Sequence, residues 1–146
     1  MKEKDTSCSY FIRNIAHLIA NMQDRCLASY GLSNQQARVL MYLSKHNIRG
    51  QKNIRRKDIE EFLNLKGPSV TSLMNGLEKN GFIERVESDK DARRKILSLT
   101  QKSKELIEQM DLIFEATDNQ IQEGMSEEEK MTFRLLLGIA HNNMCI

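Results

Sequence analysis

The sequence contains no tryptophan, a single proline and only seven glycines among 146 residues, a shortage of helix breakers that suits a mainly α-helical chain. It has no run of about 18 apolar residues, and the lysines of MKEKDTSCSY precede no apolar segment. Neither a membrane span nor a secretory leader is therefore expected, and the expected location is the cytoplasm. Cys8, Cys26 and Cys145 form no C-x-x-C pair, and the three histidines are scattered, so no metal site is expected and free thiols fit a reducing compartment. A glycine-rich phosphate loop, a metal-spaced His/Cys/Asp cluster and a nucleophile elbow are all missing. An enzyme would have no catalytic residue to rest on, and no cofactor is implied.

What is present is the composition of one globular domain, 40% apolar and 29% charged, with its charge unevenly distributed. Residues 45 to 95 hold 13 Lys and Arg against 8 Asp and Glu, whereas the remainder holds 9 against 12. A basic middle between acidic flanks is the footprint of a polyanion-binding module, although such a run is also what a solvated face looks like.

Hydrophobic spacing divides the chain further. Ile12, Ile15, Ile19, Met22, Cys26 and Tyr30 recur at steps of three and four, which predicts a long first helix ending at Gly31. Ser33 with Gln36 is a capping-box pattern opening a second helix, whose buried face is Ala37, Leu40, Met41 and Leu43. KHNIRGQKN (45 to 53) reads as a basic loop, and KDIEEFLN as a short helix with Ile59, Phe62 and Leu63 inward. After a tight turn, Pro68 in a first helical turn and Gly81 as the stop delimit a helix over about 67 to 80. Val70, Leu73, Met74 and Leu77 face its core side, which leaves Ser69, Thr71, Ser72, Asn75 and Lys79 to project elsewhere.

FIERVE and KILSLT then read as two strands around the charged loop SDKDARR, a hairpin with an exposed tip. Thr100 caps a third long helix with Leu106, Met110, Ile113, Phe114 and Ile121 at helical spacing, ended by Gly124. Ser126 with Glu129 opens the last helix, whose apolar residues are Phe133, Leu136, Leu137, Ala140 and Met144.

Two helices joined by a tight turn and followed at once by a hairpin make a winged helix-turn-helix. A helix face of small, uncharged polar residues fits the ~12 Å wide major groove, where Ser, Thr and Asn can bond base edges or phosphates at close range. On the tip, Lys90, Arg93 and Arg94 suit phosphate and the narrow minor groove, with Asp91 near enough to orient Arg93. A small polar face or a charged loop alone would mean little; the succession gives them their meaning. The end helices carry more apolar stripe than a single winged helix can cover, which predicts a homodimer.

LSNQQARVLMYL, the segment around KDIEEFLN, VTSLMNGLEKNGFIER and above all DARRKILSLT resemble the MarR (multiple antibiotic resistance regulator) family, whose wing ends in D-x-R followed by L-T. Asp91, Arg93, Leu99 and Thr100 stand at those places, and the likeness covers nearly the whole chain. It implies a homodimeric transcriptional regulator, a repressor by expectation, on double-stranded DNA. Its dimerisation helices would be about 6–31 and 101–146, and its winged helix-turn-helix about 33–100. Many relatives carry arginine where Ser72 stands and a longer polar side chain where Gly76 stands, so the expectation is thin base readout, with affinity drawn from Arg93, Arg94 and Lys90. Relatives also bind small aromatic or phenolic anions beside the dimer helices, for which Arg13, His17 and Tyr42 are the candidates here. Another branch senses peroxide through a cysteine near the start of helix one, close to Cys8. Cys26 would lie ~27 Å from Cys8 along one helix, leaving Cys145 as its only disulfide candidate. A winged helix used as a protein-binding scaffold is the remaining alternative.

Overall fold

The computed structural model describes residues 6–48, 54–87 and 95–145. The chain forms two compact units, one reaching Phe114 and one from Glu115 onward.

In the first unit, Ser7 accepts the Tyr10 N–H and starts helix α1 (Cys8–Leu27). A 3-10 turn over Ala28–Tyr30 then ends at Gly31, whose φ of 74° is a conformation that glycine adopts without strain. The Ser33–Gln36 capping box forms as expected, with reciprocal bonds of 3.0 and 3.2 Å, and opens α2 (Asn34–Ile48). Helix α2 continues through Lys45–Ile48, part of the expected loop 45–53; the rest, 49–53, lies outside the described residues. Helices α3 (Arg56–Leu63) and α4 (Gly67–Lys79) follow, joined through Asn64 in the left-handed region at φ 53°.

Strands β1 (Ile83–Glu87) and β2 (Lys95–Leu99) pair antiparallel from Ile83–Leu99 to Glu87–Lys95. Ile54 adds one rung, its carbonyl accepting the Leu97 N–H at 3.1 Å. Thr100 caps α5 (Gln101–Lys104), but the expected long helix is interrupted before α6 (Ile107–Ile121). At the break Leu106 N–H bonds back three residues to Ser103, whose hydroxyl is itself fixed on the Phe82 carbonyl.

One apolar core holds this unit together. Fully buried Leu27, Val39, Leu40, Leu43, Ile59, Val70, Leu77 and Met110 join Phe82, Ile83 and Ile54 in it. Helix α2 is its centre, covered on several faces, which is why Val39 is buried beside the predicted Leu40 and Leu43. Helix α1 buries Gln23 and Leu27 in this unit, while Ile12, Ile15 and Cys26 of its predicted stripe are left exposed.

The second unit comprises the end of α6, a turn through Gly124 at φ 83°, and α7 (Glu127–Met144). The predicted Ser126–Glu129 box opens α7, with bonds of 2.9 and 3.1 Å. No residue of α7 is buried. Among the described residues no helix is long and apolar enough to cross a membrane.

Candidate nucleic-acid interface

Helix α4 is amphipathic in an uncommon way. Its inner side is Val70, Met74 and Leu77, all essentially inaccessible, while Ser69, Ser72, Asn75 and Lys79 are exposed. Thr71 is half-buried and held: Arg56 Nη1, from the first residue of α3, donates to its hydroxyl at 2.8 Å. Gly76 is not part of the open face that its place in the sequence suggested. A Cβ built there would lie 3.4 Å from Gln36 Nε2 of α2, so this position packs against the second helix.

The helix leads into the hairpin through a fastened turn. Gly81 takes φ 79°, Phe82 N–H returns to the Leu77 carbonyl at 2.8 Å, and Thr100 Oγ1 donates to the Gly81 carbonyl at 2.6 Å. Lys102 Nζ donates to the Asn80 carbonyl at 2.9 Å and lies 4.3 Å from the Phe82 ring centroid. Arg85 of β1 meets Glu78 of α4 at 2.9 Å, tying the strand to the helix. The predicted tip residues Lys90, Asp91, Arg93 and Arg94 lie outside the described residues; the ladder ends on the Glu87–Lys95 pair that brackets them.

A second feature is a cleft of about 570 Å³ among α1, α2, α3 and Phe114 of α6. The Tyr42 ring centroid lies 4.0 Å from that of His46 and 4.5 Å from that of Phe62, both pairs tilted, and the Arg38 guanidinium lies 5.3 Å from the Phe62 centroid. Lys45 adds a further cation to the lining. Burial, then the charges of Asp58 and Glu61, raise the Tyr42 phenol above its usual pKa, so it stays a neutral hydrogen-bond donor.

Of the three ligand candidates in the sequence, the structure places only Tyr42 in this cleft. Arg13 lines a shallow polar depression with Ser9, Tyr10 and Asn14, and His17 bonds Asn21 at 3.2 Å, one turn along the exposed side of α1. The difference is rotational: the cleft takes Ala16, Ile19, Ala20 and Gln23 from α1, a stripe that residues 13 and 17 do not share. Sequence reasoning missed Arg38, Lys45, His46 and Phe62 as lining. A helical wheel places 38, 42, 45 and 46 side by side, a signal that was available.

Cys8, Cys26 and Cys145 are free and exposed, with Cys145 Sγ 3.9 Å from the His141 ring nitrogens. Among the described residues no cluster of His, Cys, Asp or Glu could hold a metal ion.

A helix pair with a tight turn, its second helix open to solvent and continuous with an antiparallel hairpin, defines the winged helix-turn-helix class. Residues 22–110, more than half of the chain, match the transcriptional regulator SarA/Rot family. The HTH-type transcriptional regulator BilQ of Clostridioides difficile (strain CD3) is 28% identical over 123 residues, spanning 84% of this chain and 80% of BilQ. MepR of S. aureus, solved as a complex with DNA, matches with a TM-score of 0.86 at 27% identity over 97% of this chain and 99% of its own. The regulator MarR of Oenococcus oeni PSU-1 shares the fold, with a TM-score of 0.76 at 22% identity over 93% and 99% of the two chains. The chain belongs to the SarA/Rot family and is a MarR-type transcriptional regulator, a DNA-binding protein of the winged-helix class rather than an enzyme.

Proposed function

We propose that the protein represses transcription in the cytoplasm by binding a palindromic operator as a homodimer. The observation that carries this reading is the α4 surface: Ser69, Ser72, Asn75 and Lys79 are exposed together on a helix whose opposite side is sealed in the core. Side chains this short let a helix backbone approach base edges closely. In this reading α4 enters the major groove, with Thr71 at its margin, and the tip with Lys90, Asp91, Arg93 and Arg94 reaches the adjacent minor groove. Residues of about 33–100 form the DNA-binding part.

Dimerisation is supported by apolar residues that the single chain leaves uncovered. Met131, Leu135, Leu136, Ile139 and Met144 of α7 are 51–80% exposed, and Phe11, Ile12 and Leu18 of α1 are 46–59% exposed. In the dimer, helices of about 6–31 and 101–146 bury these side chains against a second copy. Two-fold symmetry then sets half-sites about 10–10.5 base pairs apart, or a multiple of that spacing.

The cleft beside Tyr42 suits a small aromatic or phenolic anion that releases the operator, since aromatic rings and the cations Arg38 and Lys45 converge there. Selection of bound duplexes from random DNA tests the reading. The expected product is a palindrome bound with a steep negative dependence of affinity on salt, weakened by benzoate in the wild type but not in Arg38→Ala. Binding with no sequence preference refutes the operator. Absence of any salt-dependent DNA binding would instead favour a protein-binding scaffold.

A further inference from the structure

The bond between Arg56 and Thr71 joins the two helices of the helix-turn-helix across 15 residues of sequence. Arg56 is the first residue of α3, and Thr71 lies in the second turn of α4. Along the α3 side, Arg56 Nε faces Glu60 Oε1 at 3.4 Å, one turn away on the same helix. The same carboxylate oxygen lies 3.4 Å from where a Cβ on Gly67 would be, at the start of α4. Glu60, Arg56 and Thr71 thus form a chain of contacts that closes over the turn between the helices.

A threonine hydroxyl donates one hydrogen bond and accepts two. Here a guanidinium, which can only donate, occupies an acceptor direction of Thr71 Oγ1. The hydroxyl proton is therefore directed away from Arg56, and the hydroxyl is oriented as a donor. Thr71 also precedes Asn75 by four residues, so the two side chains are neighbours on the helix surface.

From this geometry we infer that Arg56 is a positioning residue for operator recognition: it fixes the Thr71 hydroxyl as a donor toward an acceptor on the DNA, such as a purine N7 or a thymine O4. The inference rests on the DNA-reading function proposed above and names a specificity determinant within it. Arg56 acts through its fork geometry rather than through its charge alone. Lysine, a single point charge on a flexible stem, cannot hold Glu60 and Thr71 in the same fixed arrangement.

The test uses the full-length protein and the duplex selected from random DNA. The quantity read is the ratio of Kd for an unrelated duplex to Kd for the selected duplex, in wild type, Arg56→Lys, Thr71→Val and the double variant. The expected result is a fall of about five- to tenfold in this ratio for each single variant, within the range of one lost base contact, and no further fall in the double variant. Arg56→Lys should keep the wild-type salt slope and the wild-type melting temperature. A wild-type ratio in Arg56→Lys, or losses that multiply in the double variant, would overturn the inference. So would an Arg56→Gln variant that weakens all duplexes equally and lowers the salt slope by about 0.9, the signature of a phosphate contact only. If wild type itself prefers no duplex, the DNA-reading function fails first and this inference with it, an outcome distinct from all of these.

Discussion

Replacing Gly76 and Gly81 by alanine, one at a time, should move stability in opposite directions, although the two glycines are five residues apart at the same end of α4. Gly76 is inside the helix, where glycine costs roughly 0.5–1 kcal/mol relative to alanine. Its new Cβ would meet Gln36 Nε2 at 3.4 Å, an ordinary contact with the mobile end of a side chain, so nothing offsets that gain. Gly76→Ala is expected to stabilise by about 0.5–1 kcal/mol, a rise of about 1–4 °C in melting temperature. Gly81 has open space around it among the described residues, so the cost there is purely one of backbone. Holding alanine at φ 79° costs about 1–2 kcal/mol, and the melting temperature should fall by about 2–8 °C. Thermal unfolding at one fixed protein concentration measures both, since the proposed dimerisation would make the midpoint concentration-dependent. The DNA affinity of Gly76→Ala should stay within about twofold of wild type. A tenfold loss would mean that Gly76 approaches the DNA after all, and a stabilised Gly81→Ala would refute the left-handed turn.

Other perturbations probe the joints around the site. Thr100→Ala removes the cap of α5 together with the bond to the Gly81 carbonyl and should cost about 0.5–2 kcal/mol in urea unfolding; Ser103→Ala, which frees one bond to the Phe82 carbonyl, should cost about 0.5–1.5 kcal/mol. Their effects should not add, because Thr100 Oγ1 accepts the Ser103 N–H and the two hydroxyls fasten the adjacent carbonyls of Gly81 and Phe82. The Glu129 carboxyl, lowered first by the Ser126 backbone N–H and then by the Ser126 side chain, should titrate below the ordinary glutamate range by NMR. A lowered pKa contributes stability above the unfolded value and loses it as pH falls through the folded value, so acid weakens the start of α7, and Ser126→Ala, which keeps the backbone N–H, should move Glu129 only part of the way back up. Tyr42, raised by burial and then by Asp58 and Glu61, should ionise above the ordinary tyrosine pKa in an ultraviolet titration. Its contribution is present below pH 10 and lost as pH rises through the folded value, and Tyr42→Phe should remove that late step.

Much of the fold was legible because local signals and burial agreed. Capping boxes at Ser33 and Ser126, the stop at Gly81 and the alternation of buried Leu97 and Leu99 in β2 each depend on residues within a few positions of one another. The readings that missed depend on partners distant in sequence. The single long helix expected after Thr100 is broken before Ile107, where the Ser103 hydroxyl is fixed on the Phe82 carbonyl far back in the chain. Gly76 stands where many relatives carry a longer polar side chain, and only the approach of Gln36 shows that this position of α4 faces α2. In the same way Phe62, expected in the core, stands 39% exposed against Tyr42.

The small side chains of α4 have a further consequence for the operator reading. A long arginine can adjust its reach to a base over several ångströms, whereas Ser72 or Asn75 must be delivered to within a hydrogen bond by the backbone itself. Specificity then depends on where the helix is held, and α4 is held from three neighbouring elements: by Arg56 of α3, Arg85 of β1, and Lys102 of α5 on the carbonyl of Asn80. Each link is worth little for stability, the exposed Glu78–Arg85 pair less than about 1 kcal/mol. Loosening any one of them should therefore cost more in discrimination between duplexes than in melting temperature. A helix with long readers would show the reverse ordering, because its side chains could follow a displaced backbone.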